Sequence, residues 1–171
     1  MNPRHIPIWK TVTSHTFESP EEYRKAFKGG GERPSVRIHT AANPLIDRVR
    51  YGGHARQINI ARVRLSDIGF EESVDHYGQI RKRVASISGI QICRQILALD
   101  LCHLCAREEP DNGDRVIIAT RSLPSEHGPA VFAIEREGKS VWLHSYPVTS
   151  RGVFTPRSQI AVELVLPPAP A

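Results

Sequence analysis

The fold is decided by the stretch from Ile80 to Leu143, which reads IRKRVASISGIQICRQILALDLCHLCAREEPDNGDRVIIATRSLPSEHGPAVFAIEREGKSVWL. It contains three successive apolar runs, at Leu101–Cys105, Arg115–Thr120 and Ala130–Glu135. A further run follows at Lys139–His144. Residues typical of tight turns, such as Asp111–Asp114 and Glu137-Gly138, separate the later runs. Short turns between apolar runs predict antiparallel neighbours in a sheet, so we expect most of the core here.

Helix signals dominate the sequence before this stretch. Ser19-Pro20-Glu21-Glu22 combines a helix cap, a proline at the first helical position and a capping-box glutamate. The longest predicted helix follows Ser73 and has a core stripe at helical spacing: Tyr77, Ile80, Val84 and Ile87. Residues 90–99 fit no single pattern. Helices first and strands last predict an α+β fold, with a mostly antiparallel sheet of five to six strands and two or three helices packed on one face.

Length and composition predict an ordinary globular protein. The chain has 171 residues, which predicts a single domain over residues 1–166, followed by a disordered Pro/Ala tail at 167–171. No apolar run approaches the roughly 20 residues of a membrane helix, and the first ten residues lack the core of a signal peptide. The three cysteines show no disulfide framework, which favours reduced thiols. We therefore expect a cytoplasmic protein.

The charge of the chain is unevenly distributed. Residues 1–65 hold 12 Lys/Arg and 5 Asp/Glu, whereas residues 66–171 hold 11 and 13, so the halves carry +7 and −2 of the net +5. A basic half favours an acidic partner such as nucleic acid. The alternative is a solvated surface that only keeps the protein soluble.

Six basic side chains are the candidates for nucleic-acid binding. Arg62 and Arg64 alternate with apolar residues on the predicted strand Ile58–Leu65, so they would share its polar face. The loop Gly52-Gly53-His54-Ala55-Arg56 could hold an anion with its backbone N–H groups. The candidate residues are Arg56, Arg62, Arg64, Arg81, Lys82 and Arg83.

The signals for metal binding and catalysis are weaker. Cys102 and Cys105 have zinc-like spacing, but on a strand they would face opposite ways, so we expect buried, inert cysteines and no metal or cofactor. Several histidines are candidate general bases for a metal-independent ribonuclease, although their spacing does not bring them together: His76, His103, His127 and His144. No residue is therefore predicted to be catalytic.

A succession of motifs spreads over most of the chain, from about Ile8 to Leu164. It comprises Ile8–Val12, Glu22–Ala26, Leu65–Phe70, Gly89–Cys93, Val131-Phe132 and Val141–Leu143. The order resembles a family of short bacterial proteins with no assigned activity, and the resemblance implies a bacterial cytoplasmic origin. Family members continue from the cysteine with a proline and then a glycine-proline pair. Here Arg94 follows Cys93, and Ala98-Leu99 replaces the pair. If that segment carries the family's function, this chain has lost or changed it.

These observations predict a small bacterial accessory protein that binds a partner without catalysis, and nucleic acid is the favoured partner. Two alternatives remain open at this point. One is a metal-independent ribonuclease of a toxin-type module. The other is a protein–protein interaction module that uses the hairpin at Glu137-Gly138.

Overall fold

A computed structural model describes residues 6–13, 17–26, 36–105, 111 and 113–165 of the chain. Its strands and helices follow one another in this order: β1 Lys10–Thr13, α1 Pro20–Ala26, β2 Val36–Ile38, α2 Asn43–Ile46, β3 Gln57–Arg64, β4 Val74–His76, α3 Tyr77–Ser86, β5 Ile90–Gln91, α4 Gln95–Cys105, β6 Arg115–Ile118, β7 Ala130–Glu137, β8 Ser140–Pro147, β9 Thr149–Phe154 and β10 Gln159–Leu164. The predicted Pro/Ala tail at 167–171 lies outside the described residues.

The main sheet is mixed and curls into a half-barrel. Its strand order is β1-β3-β10-β6-β7-β8-β2, and β5 adds to β10. The pairs β10–β6 and β2–β8 are parallel, and β4 and β9 form a separate two-stranded sheet. The prediction of a mostly antiparallel sheet of five to six strands is therefore wrong. Short turns reveal only pairs such as β6–β7 and β7–β8, whereas β2 and β10 join the sheet from distant parts of the chain.

Both faces of the sheet are buried, by two separate clusters of apolar side chains. On β7, Phe132 and Ile134 belong to the first cluster, whereas Val131 and Ala133 belong to the second. The first cluster also contains the buried apolar residues of α1, α2 and α4, and the second contains those of α3. Helices therefore cover both faces, which corrects the prediction that they pack on one.

The segment Leu101–Cys105, one of the apolar runs from which we predicted neighbours in a sheet, is the last part of α4. Eight of the 11 residues in α4 are buried. A helix that is apolar almost all round has no polar stripe, so its sequence cannot be distinguished from a buried strand by periodicity. Among the described residues, no helix is long and apolar enough to cross a membrane.

Several local predictions are confirmed. The Ser19 hydroxyl accepts a hydrogen bond from the Glu22 N–H at 3.1 Å, and α1 begins at Pro20. The β7–β8 hairpin pairs Glu137 with Ser140 around Gly138, whose φ is 59°. Helix α3 buries three of the predicted stripe residues, but it begins at Tyr77 because residues 74–76 pair with β9 as β4.

Candidate nucleic-acid interface

The second cluster covers only part of its face of the sheet. At one end of that face, polar and aromatic side chains take its place. The register places Arg115 opposite Glu135, Glu135 opposite Trp142, and Trp142 opposite Arg37, across β6, β7, β8 and β2. Directly paired residues project to the same side of a sheet, so these four side chains form one row. We call the row together with the adjacent His39 and His144 the open sheet face.

The strands themselves explain why these side chains lie together. On β2, Val36 is buried in the first cluster, so Arg37 points to the opposite face. The His39 N–H donates to the Leu143 carbonyl at 3.0 Å, which extends the β2–β8 pairing by one residue. His39 thereby reaches the side of the sheet where His144 lies, two residues along β8 from Trp142.

The charged members of the row are held by their neighbours. The Arg115 guanidinium donates twice to Glu135 Oε2, from Nε at 3.0 Å and from Nη2 at 2.9 Å. The guanidinium carbon of Arg37 lies 5.4 Å from the centre of the Trp142 ring, a cation–π distance. Arg37 is exposed and Trp142 is half-buried, so both remain accessible to a ligand.

Two imidazole rings stack beside the row. The ring centres of His39 and His144 are 4.3 Å apart with an angle of 26° between their planes, and the Trp142 ring lies 6.4 Å and 6.1 Å from them. Partial burial lowers the pKa of His144, and His39 and Arg115 lower it further. Glu135 opposes this, with its Oε2 at 3.8 Å from His144 Nε2. His144 is therefore mainly neutral at pH 7.

Of the six basic residues predicted to bind nucleic acid, Arg56 and Arg62 have partners within the protein. Arg56 Nη2 lies 3.1 Å from Oε1 of Glu163, whose side chain is only 7% exposed, so Arg56 compensates a buried carboxylate. The guanidinium carbon of Arg62 lies 5.1 Å from the centre of the Trp9 ring, beside the first cluster.

Of the other four, Arg64 lies near Arg62, and the remaining three lie on the opposite side of the sheet. Arg64 is exposed at the end of β3, two residues from Arg62 and on the same face. Arg81, Lys82 and Arg83 lie on α3, which packs against the opposite face, and Arg83 lies over the Phe70 ring at 5.9 Å. The structure thus divides the six residues between two sides of the sheet.

The cysteines are buried free thiols within the described residues, at Cys93, Cys102 and Cys105. Burial raises the pKa of the Cys93 and Cys102 thiols, which keeps both protonated and unreactive. No group of three or more His, Cys, Asp or Glu residues in the described ranges could hold a metal ion.

The remaining histidine candidates are dispersed. His76 caps α3, with its Nδ1 accepting from the Gly78 N–H at 2.9 Å. His103 lies on α4 with its ring edge-on to Phe17, and His127 is exposed in a turn. His144 is thus the only one of the four candidates that lies on the open sheet face.

Sequence reasoning missed five residues of the open sheet face: Arg37, His39, Arg115, Glu135 and Trp142. One signal was present, because Trp142 and His144 share the parity of their strand, as do Arg37 and His39. Comparison with protein-family models, curated proteins and solved structures finds no match for this chain. The resemblance to a family of short bacterial proteins therefore stays a prediction.

Proposed function

We propose that the protein binds single-stranded nucleic acid on the open sheet face, without catalysis. The observation that carries the proposal is the position of Trp142, which lies in a cross-strand row between Glu135 and Arg37 and beside two stacked imidazoles. Aromatic rings on a sheet surface are typical platforms for unpaired bases, and nearby arginines attract the phosphates. We further propose the bacterial cytoplasm as its setting, which the family resemblance and the free thiols support.

The dimensions of the face suit a short single strand. Four strands at about 4.8 Å spacing give the row a width of about 14 Å. Every base has a flat face that can stack on an aromatic ring, so such a surface accepts many sequences. The row has two exposed cations. Arg115 is bound to Glu135, whereas the register partner of Arg37 is Trp142 and not a carboxylate.

The geometry favours binding over cleavage. A ribonuclease needs a base at the attacking oxygen and an acid at the leaving oxygen, on opposite sides of the phosphorus atom. The His39 and His144 rings are in direct contact at 4.3 Å, which leaves no space for a phosphate between them. The hairpin at Glu137-Gly138 exposes charged side chains, Glu137 and Lys139, rather than the apolar anchors of a protein–protein interface.

The first prediction concerns salt and Arg37. A short, fluorescently labelled single-stranded RNA should bind, and its affinity in anisotropy titrations should fall as salt rises. Each phosphate contact contributes about 0.7 to the slope of log affinity against log salt concentration. Arg37→Ala should therefore reduce that slope by about 0.7 and weaken binding at low salt.

The Arg62→Ala/Arg64→Ala double variant is the control for this experiment, because it removes two arginines from the opposite face. It should bind RNA as the unmodified protein does. The proposal fails if binding is absent or insensitive to salt, or if only the double variant loses affinity. The RNA recovered afterwards should be intact on a denaturing gel, whereas cleavage that His144→Gln abolishes would establish the ribonuclease alternative.

The second prediction concerns pH. Because the pKa of His144 is lowered below its usual 6.5, the ring gains its charge only as pH falls below that value. RNA affinity should then rise about fivefold between pH 7.5 and pH 5, since two unit charges 4 Å apart attract by about 1 kcal/mol in water. The rise should disappear in a His39→Gln/His144→Gln double variant and persist in His127→Gln.

Circular dichroism should accompany the pH titration. A histidine with a lowered pKa in the folded state contributes stability that is complete above pH 6.5 and is lost as pH falls below it. An affinity that stays flat while the spectrum remains native would contradict a role for the imidazoles in binding.

A further inference from the structure

A separate cleft lies near the start of α4 and has a volume of about 710 Å³. This volume falls within the range of small-molecule sites, which is about 300–1,000 Å³. Three arginines line it, each from a different segment: Arg50 from the chain after α2, Arg94 from the residue before α4, and Arg121 from the chain after β6. We call it the arginine cleft.

The charge of the arginine cleft is uncompensated. Among the described residues, no carboxylate lines it. Within the residues that the structure describes, none of the three guanidinium groups forms an ion pair or donates a hydrogen bond. All three side chains are exposed at the rim, so a bound anion would supply the counter-charge that the lining lacks.

The backbone around the cleft also favours an anion. Gly52 and Gly53 have φ angles of 92° and 122°, a backbone conformation that residues with a side chain rarely adopt. No atom lies within 4 Å of a Cβ built at Gly52. The chain therefore turns sharply here beside open space. Gln95 and Ile96 open the 11-residue helix α4, whose first N–H groups carry partial positive charge.

Apolar and aromatic groups complete the wall. Tyr51 is half-buried with its hydroxyl donating to the Ile46 carbonyl at 2.9 Å, so its ring is fixed in place. Cys93 is buried, with Sγ 3.9 Å from the Ala161 carbonyl, and burial raises the pKa of its thiol. The cleft thus combines a cationic rim with a neutral interior that suits an organic group.

We infer that the arginine cleft binds a small organic phosphate ester, with the phosphate between Arg50, Arg94 and Arg121 and the organic part against Tyr51. Guanidinium groups match phosphate oxygens in bidentate geometry, which explains three arginines rather than lysines. This site is distinct from the open sheet face. Arg115 begins β6 and Arg121 lies three residues beyond its end, so the two arginines belong to opposite ends of this strand.

Isothermal titration calorimetry of the full chain tests this inference with four probes: AMP, glycerol 3-phosphate, inorganic phosphate and adenosine. The two esters should bind, inorganic phosphate should bind more weakly, and adenosine should not bind. Arg50→Ala, Arg94→Ala and Arg121→Ala should each weaken ester binding by at least about tenfold, because each removes hydrogen bonds to a charged group. Arg94→Lys keeps the charge and should retain part of the affinity.

Two controls separate the cleft from other sources of binding. Arg48→Ala removes a neighbouring arginine that instead donates to the Pro124 carbonyl at 2.8 Å, and it should bind the esters normally. Trp142→Ala should also bind them normally, which excludes AMP stacking on the open sheet face. The inference is overturned if no ester binds, if inorganic phosphate binds as tightly as the esters, or if binding survives all three alanine variants. RNA binding by the open sheet face would be unaffected by any of these results.

Discussion

Trp142→Ala should weaken the binding of a short single-stranded RNA by about 5- to 150-fold at constant salt, because base–aromatic stacking contributes about 1–3 kcal/mol per base. The substitution also removes the surface over which Arg37 lies at 5.4 Å. Trp142→Phe keeps a smaller ring and should retain part of the affinity. The Trp142 ring is half-buried, so the free energy of unfolding should change less than for a core residue.

Fluorescence can report on this ring directly, because the chain contains only two tryptophans, Trp9 and Trp142. In a Trp9→Phe variant, all tryptophan emission comes from Trp142, and a base stacked on the indole should quench it as RNA is added. In a Trp142→Phe variant the remaining emission comes from Trp9, which packs beside the first cluster. That signal should not change with RNA.

Two outcomes would exclude the open sheet face as the RNA site. One is an unchanged affinity in Trp142→Ala when circular dichroism shows a native fold. The other is RNA-dependent quenching of Trp9 but not of Trp142. Either result would instead direct attention to the surface around Arg62, whose guanidinium carbon lies 5.1 Å from the Trp9 ring.

Local sequence signals predict the parts of the fold that depend on neighbouring residues. The Ser19 cap on the Glu22 N–H and the hairpin at Gly138 are both present, because a cap or a tight turn depends on residues only a few positions apart. The parallel pairs β10–β6 and β2–β8 join segments that are far apart in the chain. No local pattern encodes that choice, so the sheet was predicted smaller and more antiparallel than it is.

The switch in apolar parity along β3 was an informative but ambiguous signal. Ile58 and Ile60 face the first cluster, whereas Ala61 and Val63 face the second, within one strand of regular register. The structure explains the switch by burial on both faces of the strand. Alternation indicates a half-buried strand only when the other face is solvated.

The charge of each half of the sequence does not locate either candidate site. The basic first half of the chain supplies Arg37 and Arg50, but Arg94, Arg115 and Arg121 come from the half with net charge −2. A binding surface is formed by residues that the topology brings together. For example, Arg115 at the start of β6 belongs to the open sheet face, and Arg121 just after its end lines the arginine cleft. Net charge per segment therefore says little about where cations converge.

Phe132→Ala should lower the free energy of unfolding by about 3–5 kcal/mol, as truncation of a buried phenylalanine does. Phe132 is fully buried in the first cluster on β7, a central strand of the main sheet. The loss is comparable with the total stability of a small domain, about 5–15 kcal/mol. Urea denaturation followed by far-UV circular dichroism measures it, and Phe70→Ala, at a partly buried position, should cost less.

The same experiment tests whether the two clusters form one cooperative unit. Phe154 is fully buried in the second cluster, and Phe154→Ala should shift the transition by a similar amount. On β7, Phe132 faces one cluster while Val131 and Ala133 face the other, so neither cluster can lose its packing without disturbing the strand that supports both. Circular dichroism and tryptophan fluorescence should therefore give coincident transitions for both variants. Two separated transitions would show that the faces of the sheet are stabilised independently, whereas a cost below about 1 kcal/mol for Phe132→Ala would contradict its place in a well-packed core.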